Sequence, residues 1–471
     1  MYAPAVIAAQ QEKLEASLGE ALPTGKLERL PAPQCHSLRR SLDEIWDPEK
    51  GQQTRDLTQD EQAFVANERL LGKIDYVYFA ERYWFIQAAG QRLQPMFPLF
   101  ESQQLMLAAL AEEQERRWRI GHPDGLIPNV LKGRQLGCSS WAQSLIGHRI
   151  VTHGYVKALV ASDVPENSGS QGIFGMLERG FEHLPWWLKP GVKFHNKDRH
   201  LVLANGSSVI VESGKSMKGG LQEEGGTKGQ LGRSKTYSVG HLTELSTWER
   251  AEQIDDGLMP AVPMSPQTLL IRESTAKGRH NWWHQEWEVA AKGLGRSFNI
   301  FIPWYAERSK YWLPFPPDWI PATDTLEFAT RVREKGARFM RRTIDLSKEQ
   351  LYWYEQRKAE AVQKEQLYKF LEEYPAEPEE AFQFSGRSVF PISVIDRVER
   401  QARPLLDLWA VRPHADLKRD REALISELRS DQQGMQQRAE AERLKRAEMV
   451  SEQIRPMPLA LDPIPQAEEV V

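Results

Sequence analysis

Cysteine is nearly absent: 471 residues carry two, Cys35 and Cys138. Two thiols cannot build a disulfide framework, and they lack the spacing of a metal site, so a reducing cytosol is the expected setting. Long apolar runs are absent as well. No stretch approaches the roughly 20 apolar residues that a membrane-spanning helix needs. The apolar start, Met1 to Ala9, is short and has no basic flank of the kind a signal peptide carries. Excess positive charge is also missing. Against 61 Lys and Arg stand 65 Asp and Glu, a net charge of −4, so any contact with nucleic acid has to be local. What remains is ordinary apolar content, 41%, with 15 tryptophans and a mean hydropathy of −0.55. That is enough for roughly two to four domains, or for one large α/β core with appendages.

Residues 1–60 are polar and broken by Pro23, Pro31 and Pro33, which reads as an arm with some helix near 9–18. From Thr58 to Gln87 the apolar spacing is helical. A proline-marked loop follows at Pro95 to Pro98, then a helix through Leu105, Leu107 and Leu110. Short apolar runs then alternate with helical stretches. The expected strands are Leu126 to Leu131, Val156 to Ala161, Leu201 to Leu203, Val209 to Glu212, Tyr237 to Leu242 and Thr268 to Arg272. Ser139 to Val151 and Gly172 to His183 read as helices, and Asn205-Gly206 as a hairpin turn. The alternation predicts an α/β fold with a mostly parallel sheet, helices on both faces and one antiparallel hairpin. Residues 345–384 are helix-rich. Beyond about 390 the chain turns Arg-, Glu- and Gln-dense and ends in a proline-rich stretch that is expected to be disordered. The expected division is an arm over 1–60, a motor domain over 61–390 and a helical, charged tail over 391–471.

Three segments carry candidate chemistry. Lys132-Gly133-Arg134-Gln135-Leu136-Gly137-Cys138-Ser139-Ser140 lies between an apolar strand and a helix, the setting of a phosphate-binding loop. Against Gly-x4-Gly-Lys-Ser/Thr, Gly137 and Ser139 fit, Lys132 replaces the first glycine, and Cys138 stands where the lysine belongs. The chemistry requires a cation near the β- and γ-phosphates, backbone N–H groups facing them and a hydroxyl for Mg²⁺. Lys132 and Arg134 flank the loop and supply that cation from its other end. A strand-to-helix turn with two solvated cations fits this segment equally well. The second segment, Tyr237 to Glu244, is a short apolar strand ending on a carboxylate, where P-loop ATPases place the acid that orients the attacking water. Thr243 takes the place of the usual magnesium-binding aspartate and would act through a water. For a Glu standing alone, simple exposure at a strand end is the commoner case. The third, Leu269 to Gly278, runs a strand into Ser274 and Thr275, which reads either as a γ-phosphate sensor or as a helix N-cap.

Together these segments resemble the large terminase family of tailed bacteriophages, whose phosphate loop commonly carries its lysine at the front. His241 to Trp248 is similar to the family's catalytic-carboxylate strand, and Glu273 to Gly278 to its coupling motif. Phe97 to Gln103 is similar to its adenine-reading glutamine segment, and Leu201 to Val211 to the hairpin before the catalytic strand. Phe301 to Tyr305 and Glu373 to Phe382 are similar to later parts of the motor domain. The likeness runs in the family's order over roughly 65–390. It implies a P-loop NTPase of the RecA and helicase-like kind that uses ATP and Mg²⁺. Nucleotide contacts would come from Lys132, Gly133, Arg134, Gln135, Gly137, Cys138, Ser139, Ser140 and Gln103. Ser139 would hold Mg²⁺ and Thr243 would reach it through water. Glu244 would be catalytic, with Arg134 and Arg233 assisting, and Ser274 and Thr275 would couple hydrolysis to movement. The implied partners are double-stranded DNA, a portal and procapsid, and a small terminase subunit. The implied assembly is a homo-oligomeric ring of five subunits, located in the bacterial host cytoplasm and transiently at the portal.

One departure from the family is visible. About 80 residues follow Phe390, too few for a nuclease domain, and Asp396, Asp407 and Asp416 end no apolar strand. No nuclease site is expected. DNA contact falls on Lys189 to Lys235, where nine basic residues face four acidic ones among many glycines. Such a stretch grips phosphates without reading sequence, and an ordinary solvated loop fits it equally. Two other functions share these features: a helicase-like ATPase outside packaging, and a non-catalytic assembly remnant, which Cys138 and Thr243 favour.

Overall fold

The computed structural model describes residues 32–87, 92–122, 124–196, 199–214, 236–279 and 281–382. The chain divides into two units, Met1–Arg387 and Ser388–Val471. The second unit, and with it the expected charged tail, lies outside the described residues, as does the helix expected near 9–18.

Two small antiparallel pairs precede the main sheet: β1 (Trp46–Asp47) with β2 (Gln52–Gln53), and β3 (Phe85–Ile86) with β4 (Gln94–Pro95). The main sheet contains β5 (Ile127–Lys132), β6 (Lys157–Ser162), β7 (Val192–Asn196), β8 (His200–Leu203), β9 (Ser208–Ser213), β10 (Val239–Thr243), β11 (Leu269–Ser274) and β12 (Ser297–Ile302). Its order is β12-β5-β11-β10-β6-β9-β8-β7. The strands from β12 to β9 run parallel; β8 pairs antiparallel with both β9 and β7. The six expected strands all form within one or two residues of their expected ends. β7 and β12 are additions, and β7 extends the hairpin into an antiparallel edge. Asn205-Gly206 makes the β8–β9 turn, with Gly206 at φ +81°.

Strands buried on both faces read as continuous apolar runs, and neighbouring residues feed opposite cores. Val130, Val160, Ile271 and Ile302 pack on one face, while Leu131, Leu159, Leu270 and Phe301 pack on the other. The first core receives the helices Gln59–Ile74, Tyr76–Tyr83, Glu101–Arg119, Cys138–Thr152 and Ile173–Glu182. The second receives Ala251–Leu258 and Trp282–Ala291. The helical stretch expected from Thr58 breaks at Asp75, whose side chain caps the second helix by accepting from the Tyr78 amide. Leu42, Ile45 and Leu57 are buried in the first core, so the part of residues 1–60 that is described packs against it. Among the described residues no helix is long and apolar enough to cross a membrane.

Candidate phosphate-binding site

β5, β10 and β11 end at the same edge of the sheet, and their register aligns Thr243 with Glu273 and Ser274 with Leu131. In open α/β sheets this carboxyl edge is where ligands collect. Side chains alternate faces along a strand, so Lys132 shares the face of Val130, Glu273 that of Ile271, and His241 and Thr243 that of Val239. The helix Cys138–Thr152 covers this face, and from it Gln143 meets the His241 ring, Nε2 to Nδ1, at 2.6 Å.

The loop from Gly133 to Gly137 is curled by two left-handed residues, Gln135 at φ +54° and Gly137 at φ +73°. Its carbonyls are tied back: Tyr311 Oη donates to that of Arg134, Ser102 Oγ to that of Leu136 and Gln103 Nε2 to that of Gly137. The Gly133 amide donates to Ile302 and the Arg134 amide to Glu373. A Cβ on Gly133 would lie 3.3 Å from the Trp304 backbone. The front of the loop is therefore fastened to β12 and to the segment around Glu373. Its far end opens into the helix, whose first amides have no partner within the helix and carry the positive end of its dipole.

Lys132 is buried at the end of β5. Its Nζ lies 3.4 Å from Glu273 Oε2 and 3.8 Å from Glu244 Oε1. Burial disfavours the ammonium, but the Glu273 and then the Glu244 carboxylate outweigh it and raise its pKa, so the lysine is charged. Glu273 is 1% exposed. Burial opposes its charge too, yet Lys132, His241 and Ser139 hold its pKa well below the usual carboxylate range. Glu273 Oε1 accepts from Ser139 Oγ at 2.5 Å and from Thr243 Oγ1 at 2.9 Å. His241 Nε2 stands 3.1 Å from the same oxygen, within ion-pair distance but outside hydrogen-bond geometry. Glu244 has left-handed backbone at φ +57°, a conformation that costs roughly 1–2 kcal/mol for an L-residue. Its side chain is 39% exposed. Its carbonyl accepts from the Thr247 amide and hydroxyl. Ser274 Oγ accepts from the Ser246 amide and donates to the Ser246 hydroxyl, which ties the end of β11 to the turn carrying Glu244.

Lys132, Ser139, Thr243, Glu244 and Ser274 thus converge on one edge. Gln103 reaches the loop, but both ends of its amide are engaged, by the Phe100 amide and the Gly137 carbonyl. Arg134 is half exposed and paired with Glu373 at 3.0 Å. Cys138 is a buried thiol whose pKa burial pushes up to about 12. Ser140 lies along the helix, its Oγ 4.0 Å from Met176 Sδ, and Thr275 is half-buried beyond β11. Arg233 and residues 215–235 of the basic stretch lie outside the described residues. Lys189, at the start of that stretch, is engaged: its Nζ donates to the Glu182 carbonyl and sits over the Phe181 ring. Glu273, His241 and Glu373 lie within the motifs named above but have no individual role assigned there. No linear signal singles out Glu273, because it follows Arg272 on the same strand and its place beside Thr243 comes from the register of two strands.

No family model and no curated protein matches this chain. Among solved structures it is similar to the large terminase ATPase domain of Thermus phage P74-26. The identity is 14% and the TM-score 0.33, over 53% of this chain and 88% of that one. An arginine-to-alanine mutant of the same domain gives 14% identity and a TM-score of 0.28, over 44% and 83%. The site described above therefore rests on this chain's own residues.

Proposed function

We propose that this chain is an ATP hydrolase that drives double-stranded DNA into a viral procapsid, the large-subunit motor of a terminase. The observation that supports it most is the buried Lys132 ammonium, set between a curled loop at a helix N-terminus and two strand-end carboxylates. A triphosphate seated on the loop would meet the first-turn amides and Lys132, which stabilise phosphate charge in ground and transition states alike. Glu244, partly exposed at the end of β10, would orient the attacking water and accept its proton. The donor set fits Mg²⁺, a hard cation that takes oxygen ligands: Ser139 offers a hydroxyl beside a buried, ionised carboxylate. When bound, the ion would neutralise charge on the phosphate oxygens, and Ser139 would be its ligand from the loop. Ser274, bonded to the turn that carries Glu244, would relay a change at the phosphates to the rest of the sheet edge.

The test is phosphate release with and without duplex DNA, beside Glu244→Gln. Expected are DNA-stimulated hydrolysis in the wild type, and loss of turnover with retained ATP binding in the variant. No hydrolysis by the wild type with DNA and Mg²⁺, or full turnover by Glu244→Gln, overturns the reading.

A further inference from the structure

P-loop ATPases order Mg²⁺ with the loop hydroxyl and an aspartate at the end of the strand that bears the catalytic acid. That position here is Thr243, a hydroxyl with no charge to offer the cation. Among the described residues no group of three or more His, Cys, Asp or Glu could hold a metal by itself. Mg²⁺ commonly takes only one or two carboxylates, with phosphates and waters completing its shell, so a single well-placed acid suffices.

We infer that Glu273 is that acid, the metal-ordering carboxylate having moved one strand over, from β10 to the adjacent β11. The inference rests on the nucleotide reading above. Three observations carry it. Glu273 is the register partner of Thr243 on one side and of Val130 on the other, which puts it between the catalytic strand and the phosphate-loop strand. Its Oε1 accepts the Ser139 hydroxyl, the loop group that would bind the ion, and the Thr243 hydroxyl as well. Its Oε2 is buried, has no hydrogen-bond partner among the described residues, and faces a cation, Lys132 Nζ, at 3.4 Å. A counter-ion for Lys132 alone would need no bond to the loop hydroxyl, and Glu244 is already within 3.8 Å of that lysine.

The prediction is a displaced carboxylate that works from either strand. ADP binding is measured by calorimetry in EDTA and in Mg²⁺, with Mn²⁺ followed by electron paramagnetic resonance on the ADP complex. Wild type should bind ADP more tightly with Mg²⁺ by about 5- to 150-fold, the usual span of coupling between two bound ligands. Glu273→Gln should keep ADP binding in EDTA and lose most of that enhancement together with the bound-Mn²⁺ signal. Adding Thr243→Asp to Glu273→Gln should restore both by returning the acid to β10. Where Glu273→Gln fails to fold, Glu273→Asp retains the charge one methylene short and should still weaken the Mg²⁺ enhancement more than binding in EDTA. Wild type that binds ADP under neither condition overturns the nucleotide reading and this inference with it. Wild type that binds, with Glu273→Gln or Glu273→Asp keeping the full Mg²⁺ enhancement, overturns the carboxylate assignment alone, as does a double variant that recovers nothing.

Discussion

Lys132 has two separable roles at the scale of single residues: it neutralises Glu273, and it presents a cation to the loop. Removing one partner of a buried ion pair typically costs about 3–5 kcal/mol, because the other charge is left uncompensated. The hydroxyls of Ser139 and Thr243 on Glu273 place the present case toward the lower end. Lys132→Ala should therefore lower the melting temperature as well as abolish nucleotide binding. Lys132→Ala with Glu273→Gln should recover most of the stability and none of the binding. Chemical denaturation beside nucleotide titration separates the two, and a double variant as unstable as Lys132→Ala would show that the ion pair is not what holds this edge together. Arg134→Ala should be milder on both counts, since that guanidinium is half exposed and held by Glu373 rather than by the sheet edge. The sequence allowed Lys132 and Glu244 to be picked out because each ends an apolar strand at a recognisable spacing. Glu273 could not be assigned there. Its significance comes from register between strands 30 residues apart, and a linear reading contains no register.

At the scale of elements, the helix Cys138–Thr152 is fixed at both ends by close packing. Gly137 has φ +73°, and a Cβ there would lie 2.8 Å from Gln103 Nε2 and 3.0 Å from the Phe100 ring. Gly137→Ala should destabilise the fold by roughly 1–3 kcal/mol, as expected for a non-glycine residue in a strained backbone region, and should weaken nucleotide binding. Farther along, a Cβ on Gly147 would approach Trp84 Cη2 to 2.0 Å, and one on Gly180 would approach its Cε2 to 2.2 Å. The indole is wedged between two helices, so Gly147→Ala should cost about 1–3 kcal/mol through overpacking and leave ADP affinity per folded molecule unchanged. On the same helix His148 Nε2 donates to the Gly72 carbonyl at 2.7 Å. Burial pulls its pKa down to about 4. The unfolded chain, at about 6.5, binds more protons between those values, so stability is fully present above pH 6.5 and falls as pH drops toward 4. The loss is on the order of 3 kcal/mol, and His148→Gln should flatten the slope in a pH series of denaturation curves. An unchanged slope would remove His148 from the titration. Element by element, the sheet was legible where strands are buried on both faces. β7 was not, because it is short and mostly exposed, with Lys193, Phe194 and Asn196 open to solvent. β12 is visible in the sequence only as a motif, since its first half, Ser297 to Asn299, is half-buried and polar at both ends.

For the whole molecule, a packaging motor differs from a solitary hydrolase in needing DNA and a neighbour. A net charge of −4 gives duplex DNA no general attraction, so a response to DNA has to come from a local basic surface. Lys193 and Arg199 are exposed on the antiparallel edge of the sheet, at the start of the basic stretch. The remainder of that stretch, including Arg233, lies outside the described residues. Each phosphate neutralised adds about 0.9 to the downward slope of log affinity against log salt, so losing one contact should reduce that slope by roughly 1. Steady-state ATPase should rise with duplex DNA at low salt and lose that stimulation at moderate salt. Lys193→Ala with Arg199→Ala should weaken DNA activation alike across sequences and leave DNA-free turnover unchanged. If the phosphate of one subunit is completed by an arginine of the next, activity per subunit should rise with protein concentration. The missing charge would be worth roughly 10³ to 10⁵ in rate, and Arg233→Ala should abolish the concentration dependence. Turnover that is linear in protein, indifferent to DNA and untouched by Arg233→Ala would leave a nucleotide hydrolase that works alone, with the Lys132 site intact and the motor assignment withdrawn.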